Sequence, residues 1–260
     1  MRLARLLPTP LFSATLVSIG LLVAQSSALA APACVVHSAA TTVPLVELYT
    51  SEGCSSCPPA DRWFSAHAND AGANWLAFHV DYWDSIGWPD RFGSPLFSQR
   101  QRSRVAAVGE STVYTPQVMV GPQVHASWHN GLRTELRKAR GPAKASLALQ
   151  LRPDGDGWQA SLGAARIDTA PGEASVWLAQ YSDDQDTDVH AGENQGVHLH
   201  HDRVVRHLWG PWPLGATALS QQVSLRAPSP QWGLTAFVQD ARGRVWQSLS
   251  VPANQACPPG

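Results

Sequence analysis

The sequence predicts a two-part fold: an α/β domain over residues 41–141, then a β-rich, sandwich-like domain over 145–255. Three observations predict it. Up to Gly141-Pro142, strand-like apolar runs alternate with stretches of helical period. Beyond it, short strand-like runs are separated by turn chemistry, as in Pro153-Asp154-Gly155-Asp156-Gly157 and Asp240-Ala241-Arg242-Gly243. Finally, 260 residues that are 44% hydrophobic and 15% charged can build a sizeable core, which excludes a disordered chain or a coiled coil. Twenty Gly and twenty Pro argue against a helical bundle.

Residues 1–30 carry Arg2 and Arg5, an apolar stretch and a closing Ala28-Leu29-Ala30, the pattern of a secretory signal peptide. A retained anchor is the competing reading, but the apolar stretch is short beside a spanning helix. Cleavage near Ala31 removes two arginines and no acid, taking the formal charge from −1 to −3. So weak and mixed a charge argues for no nucleic acid, and no stable membrane insertion is expected after cleavage. The expected location is periplasmic or secreted.

Residues 43–50 read as a buried strand and 59–68 as a helix, with Ala60, Trp63, Phe64 and His67 at helical spacing. A second strand is expected over 75–80, a helix over 96–108, strands over 115–120 and 123–128, and a helix over 132–140. In the second half, strands are expected over 145–151, 158–162, 174–181, 197–205, 221–225 and 234–239.

Four cysteines, Cys34, Cys54, Cys57 and Cys257, lie beyond the signal, and an even count in an oxidising compartment allows two disulfides. Cys54 and Cys57 form a C-x-x-C, which leaves Cys34 and Cys257 to pair by elimination. That bridge would close a very long loop, a closure to which the chain-entropy model assigns roughly 4–5 kcal/mol. A thiolate is the nucleophile in disulfide exchange, and a helix N-terminus would lower the pKa of Cys54. Cys57, about one turn on, would resolve the mixed disulfide. Pro58 and Pro59 suit only a first helical turn, so the helix should begin at or just after Cys57. A zinc site needs about four ligands, and no second C-x-x-C exists here.

The order strand, C-x-x-C, helix, strand, helix, strand with Thr115-Pro116, strand, helix resembles the thioredoxin plan. Ser51-Glu52-Gly53-Cys54-Ser55-Ser56-Cys57-Pro58-Pro59-Ala60-Asp61, Val80-Asp81-Tyr82-Trp83-Asp84 and Tyr114-Thr115-Pro116-Gln117 look narrower still. They resemble a family of secreted bacterial proteins described only as a domain of unknown function within the thioredoxin-like superfamily. Gly192-Glu193-Asn194-Gln195-Gly196 and Val204-Val205-Arg206 resemble that family's C-terminal signature. The resemblance implies export and an α/β thioredoxin-like fold, but no substrate. It also implies a cis Pro116 that, with Thr115, would hold an incoming peptide. Glu47 stands where thioredoxins keep a buried acid; buried, it would have a raised pKa and could shuttle the resolving thiol's proton. A solvent-facing carboxylate is the plainer reading. Gly53 and Ser55-Ser56 depart from the thioredoxin loop, which leaves the direction of electron flow open.

His198, His200 and His201 form the histidine cluster of the sequence. On a strand His198 and His200 share a face, a spacing that can bind a metal, though solvated histidines are the simpler reading. Asp183, Asp184, Asp186 and Asp188 lack the glycine and closing Glu of a calcium loop. No metal and no cofactor is therefore assigned. The expected function is an exported thiol–disulfide oxidoreductase acting on thiols or disulfides of other exported proteins. The alternative is a non-catalytic envelope binding or assembly module with a structural disulfide, and a metal chaperone stands third.

Overall fold

The computed structural model describes residues 34–125, 128–167 and 172–257. The signal-peptide segment expected at 1–30 lies outside them.

After β1 (Val36–His37) the chain runs through β2 (Leu45–Thr50), α1 (Pro58–His67), β3 (Asn74–His79), α2 (Pro95–Ala106), β4 (Gln117–Val120), β5 (Gln123–His125) and α3 (Leu132–Lys138). Strands alone follow: β6 (Ala145–Asp154), β7 (Gly157–Arg166), β8 (Ala174–Ser182), β9 (Gln185–Asp188), β10 (His198–His201), β11 (Val204–Pro213), β12 (Leu219–Leu225), β13 (Trp232–Asp240) and β14 (Val245–Pro252).

These strands overturn the expected plan of an α/β thioredoxin-like fold followed by a β-rich domain. The protein is mostly β-sheet, with three α-helices among the described residues. One mixed eight-stranded sheet, in the order β14-β13-β8-β11-β3-β2-β4-β5, takes strands from both sides of Gly141. The physical reason is the edge of β3. Its side chains are buried on both faces, so its backbone groups cannot be left to water. β11 covers that edge in parallel, Val204 opposite Ala77, with Ala77 N–H donating to the Arg203 carbonyl at 2.9 Å. A second sheet, β1-β6-β7-β12, packs its apolar residues Leu147, Leu149 and Leu162 against Val176, Leu178, Leu234 and Ala236 of the large sheet. The β9–β10 ribbon stands apart as a pair.

Period-two alternation sorts β2 between two cores. Val46 and Leu48 meet Ala60 and Phe64 of α1, while Leu45 and Tyr49 meet Phe97 of α2 and, from the second half, Tyr181, Val205 and Phe237. α2 starts as its sequence requires, with Pro95 in the first turn and Ser94 Oγ accepting from Leu96 N–H. The expected strand over 197–205 is instead two strands, because Arg203 turns the chain with φ 55°. β1, β9 and β14 lie where no strand was expected. Among the described residues no helix is long and apolar enough to cross a membrane.

Candidate functional site

The cysteines close the loop between β2 and α1. Cys54 and Cys57 are bridged with their Cα atoms 5.4 Å apart, and the Cys57 carbonyl accepts from Ala60 and Asp61 N–H as α1 begins. Both are buried, Cys54 at 1% exposure and Cys57 at 0%. The cover has named parts. Asn194 Nδ2 donates to the Glu52 carbonyl at 2.8 Å and the Cys54 carbonyl at 3.0 Å, and Ser55 N–H donates to Glu193 Oε2 at 3.2 Å. Trp83 lies so close to Gly53 that a Cβ there would come within 3.2 Å of the Trp83 Cβ. Thr115 and Pro116, joined by a cis peptide bond, sit beside the loop. Ser56 Oγ donates to the Thr115 carbonyl and Trp83 Nε1 to Thr115 Oγ1. The structure thus brings Cys54, Cys57 and Thr115 together. Cys34 and Cys257 form the other bridge, 223 residues apart in sequence and 5.6 Å between Cα atoms.

Glu47 is placed elsewhere. Alternation along β2 turns it toward α2, away from the α1 face that Thr50 shares with Asp61. It is buried and accepts hydrogen bonds from Tyr49 Oη at 2.8 Å and Arg100 Nε at 3.0 Å, with Arg104 Nε at 3.2 Å. The raised pKa expected for Glu47 is corrected by these partners. Burial pushes it up, but Arg100 and Arg104 outweigh burial and hold the carboxyl at about 2. It is a fixed anion, with no proton to shuttle near neutrality.

The ionisable groups packed around the cysteine loop are ones to which the sequence assigned no role at the cysteines. Glu52, Asp61, His79, Asp90 and His201 are all buried. His79 Nδ1 and Asp90 Oδ2 lie 2.7 Å apart, and Glu52 N–H donates to the same oxygen at 2.8 Å. Thr50 Oγ1 donates to Asp61 Oδ1 and Trp88 Nε1 to Glu52 Oε2. The His201 ring stands 4.8 Å from that of His79, with Nε2 3.7 Å from Glu52 Oε1 and Nδ1 4.0 Å from Asp61 Oδ2. Burial, over the opposing pull of His79, raises Asp61 to about 7. Burial and then Asp90 raise Glu52 as well. For His79 burial works downward, but Asp90 prevails and the imidazole is shifted up. Burial and the neighbouring His79 drive His201 well below the usual range. The cluster therefore favours the protonated form of His79 beside Asp90, disfavours that of His201 and leaves Asp61 to exchange a proton near neutrality. Asp61 was readable as a candidate, four residues after Cys57 and hence on its face of the helix. His201 stood out only as part of the histidine cluster, and His79 and Asp90 carried no such signal.

Two solved structures are similar to the chain. Protein AGR_C_4864 from Agrobacterium tumefaciens has 24% identity and a TM-score of 0.59, covering 84% of this chain and 98% of its own. HBP35 of Porphyromonas gingivalis has 14% identity and a TM-score of 0.61, covering 85% of this chain and 78% of its own. At these identities the likeness is one of fold. No curated protein matches. A family model described as "Protein of unknown function (DUF1223)" matches residues 45–239.

Proposed function

Because the chain belongs to the DUF1223 family of proteins of unknown function, we propose a function from its own geometry: a non-catalytic, disulfide-stapled binding or assembly module of the bacterial envelope, periplasmic or secreted. The observation that carries this reading is the burial of both Cys54 and Cys57, in a loop whose backbone is hydrogen-bonded to Asn194 and Glu193. An attacking thiolate must approach a sulfur along the S–S axis, and a covered bridge resists that approach. Two formed disulfides suit an oxidising compartment. The partners are other exported proteins.

The rival is thiol–disulfide exchange, with Cys54 as nucleophile, Cys57 as resolver and Thr115-Pro116 beside the incoming peptide. It is favoured by one observation, the neutral-range Asp61 packed against the loop. Equilibration of the bridge with glutathione decides between them, with Cys34–Cys257 mapped separately. A staple resists millimolar reduced glutathione and has a potential below about −300 mV. A potential between about −270 and −120 mV, the range of exchange proteins, would replace the staple by the enzyme.

A further inference from the structure

The β9–β10 ribbon has two unlike faces. Thr187, Leu199 and His201 point inward and are buried, so the strands rest on the body of the protein. Asp186, Asp188, His198 and His200 point outward and are exposed. Antiparallel register sets His198 opposite Asp188 and His200 opposite Asp186. These four outward positions hold only imidazoles and carboxylates. At the open end of the ribbon Asp184 and Asp202 add two more carboxylates. Among the described residues, donor atoms of Asp184, Asp186 and His200 lie within 4.8 Å of one another. His198 Nε2 is 3.6 Å from Asp186 Oδ1, and His200 Nε2 is 3.2 Å from Asp202 Oδ2.

We propose that this face binds one divalent transition-metal ion of the zinc class through His200, Asp186 and Asp184, with His198 and Asp202 as adjacent donors. The chemistry of the donors selects the class. Imidazole nitrogen suits Zn²⁺, Ni²⁺ and Cu²⁺, whereas Ca²⁺ takes six to eight oxygens. Placement supports it as well. Alternate residues on one strand direct two imidazoles to one side, and strands anchored by a buried inner face hold ligands in place. Asp184 is oriented from outside the set, its Oδ2 accepting from Gln231 Nε2 at 2.9 Å, as ligating carboxylates commonly are. No thiolate competes, since all four cysteines are bridged. The site is independent of how the Cys54–Cys57 bridge is read.

The test is calorimetric titration of the disulfide-intact protein with Zn²⁺, repeated with Co²⁺ to read coordination from its visible absorption. One ion per chain is expected, with His200→Ala and Asp186→Asn each weakening binding at least about tenfold. His207→Ala, an exposed histidine on β11, should leave it unchanged. Equal weakening by His207→Ala, or no loss in His200→Ala, would overturn the site. So would the absence of saturable Zn²⁺ binding, or displacement of Zn²⁺ by equimolar Ca²⁺. Far-UV circular dichroism of each variant separates a lost ligand from a lost fold.

Discussion

Asp61 and Glu47 are both buried acids, yet their surroundings move them in opposite directions, and each shift is a statement about stability. Asp61 binds its proton more tightly folded, at about 7, than its ordinary value of 3.8. Its contribution is complete below about pH 4 and is lost as the pH rises through 7. Asp61→Asn should therefore flatten urea-denaturation stability between pH 4 and 7, and gain on the order of 3 kcal/mol above pH 7. An unchanged pH profile would show that Asp61 is ionised throughout. Glu47 falls to about 2 from 4.5, so its contribution is present above about pH 4.5 and disappears as the pH falls toward 2. Glu47→Gln should cost about 3–5 kcal/mol at pH 7, because Arg100 and Arg104 would remain buried without their counter-charge. A loss under about 1 kcal/mol would mean that water replaces the carboxylate.

At the scale of elements, much was written in local pattern. Ala60 and Phe64 announce α1 by their spacing and do face the core, and Pro58 and Pro59 mark its first turn. Pattern does not show which edges meet. Nothing in Trp75-Leu76-Ala77-Phe78 indicates that Val204 will lie beside Ala77. The candidate site was legible to the same degree. Cys54, Cys57 and Thr115 converge, but Glu47 found its partners on α2, 53 positions along the chain at Arg100. The ribbon loop over the cysteines gives a test at this scale. Asn194→Ala removes two hydrogen bonds, which should cost about 1–3 kcal/mol of closure and speed phosphine reduction of Cys54–Cys57 by about tenfold or more. Reduction at the wild-type rate would show that Asn194 does not hold the cover. Strand packing gives another. A Cβ on Gly233 of β13 would fall 2.6 Å from Tyr181 Cζ and 2.8 Å from the Val251 carbonyl. Gly233→Ala should therefore cost about 2–3 kcal/mol in thermal or urea unfolding.

Across the whole molecule, Arg100 is one of the residues that tie the two halves together. It bonds Glu47 from the first half and Gln239 from the second, and its guanidinium lies 5.1 Å from the ring centres of both Trp177 and Phe237. The large sheet and this shared core predict one cooperative unfolding transition, with no separate melting of residues 41–141 and 145–255. Two resolved calorimetric transitions would contradict that. Replacing Cys34 and Cys257 by Ser should cost about 2–5 kcal/mol and lower the Tm by about 5–15 °C. The short β1 edge, Val36 and His37 paired with β6, would then be the first backbone to exchange its amide protons.

The Cys34–Cys257 bridge also changes the topology of the covalent chain. With it, residues 34–257 form a closed ring in which the backbone supplies all but one link. A protease that cuts an exposed turn, such as the one around Gly155, would open the ring without releasing a fragment. The nicked protein would keep its mass on a non-reducing gel and separate into two bands only after reduction. Such a ring tolerates a single cut.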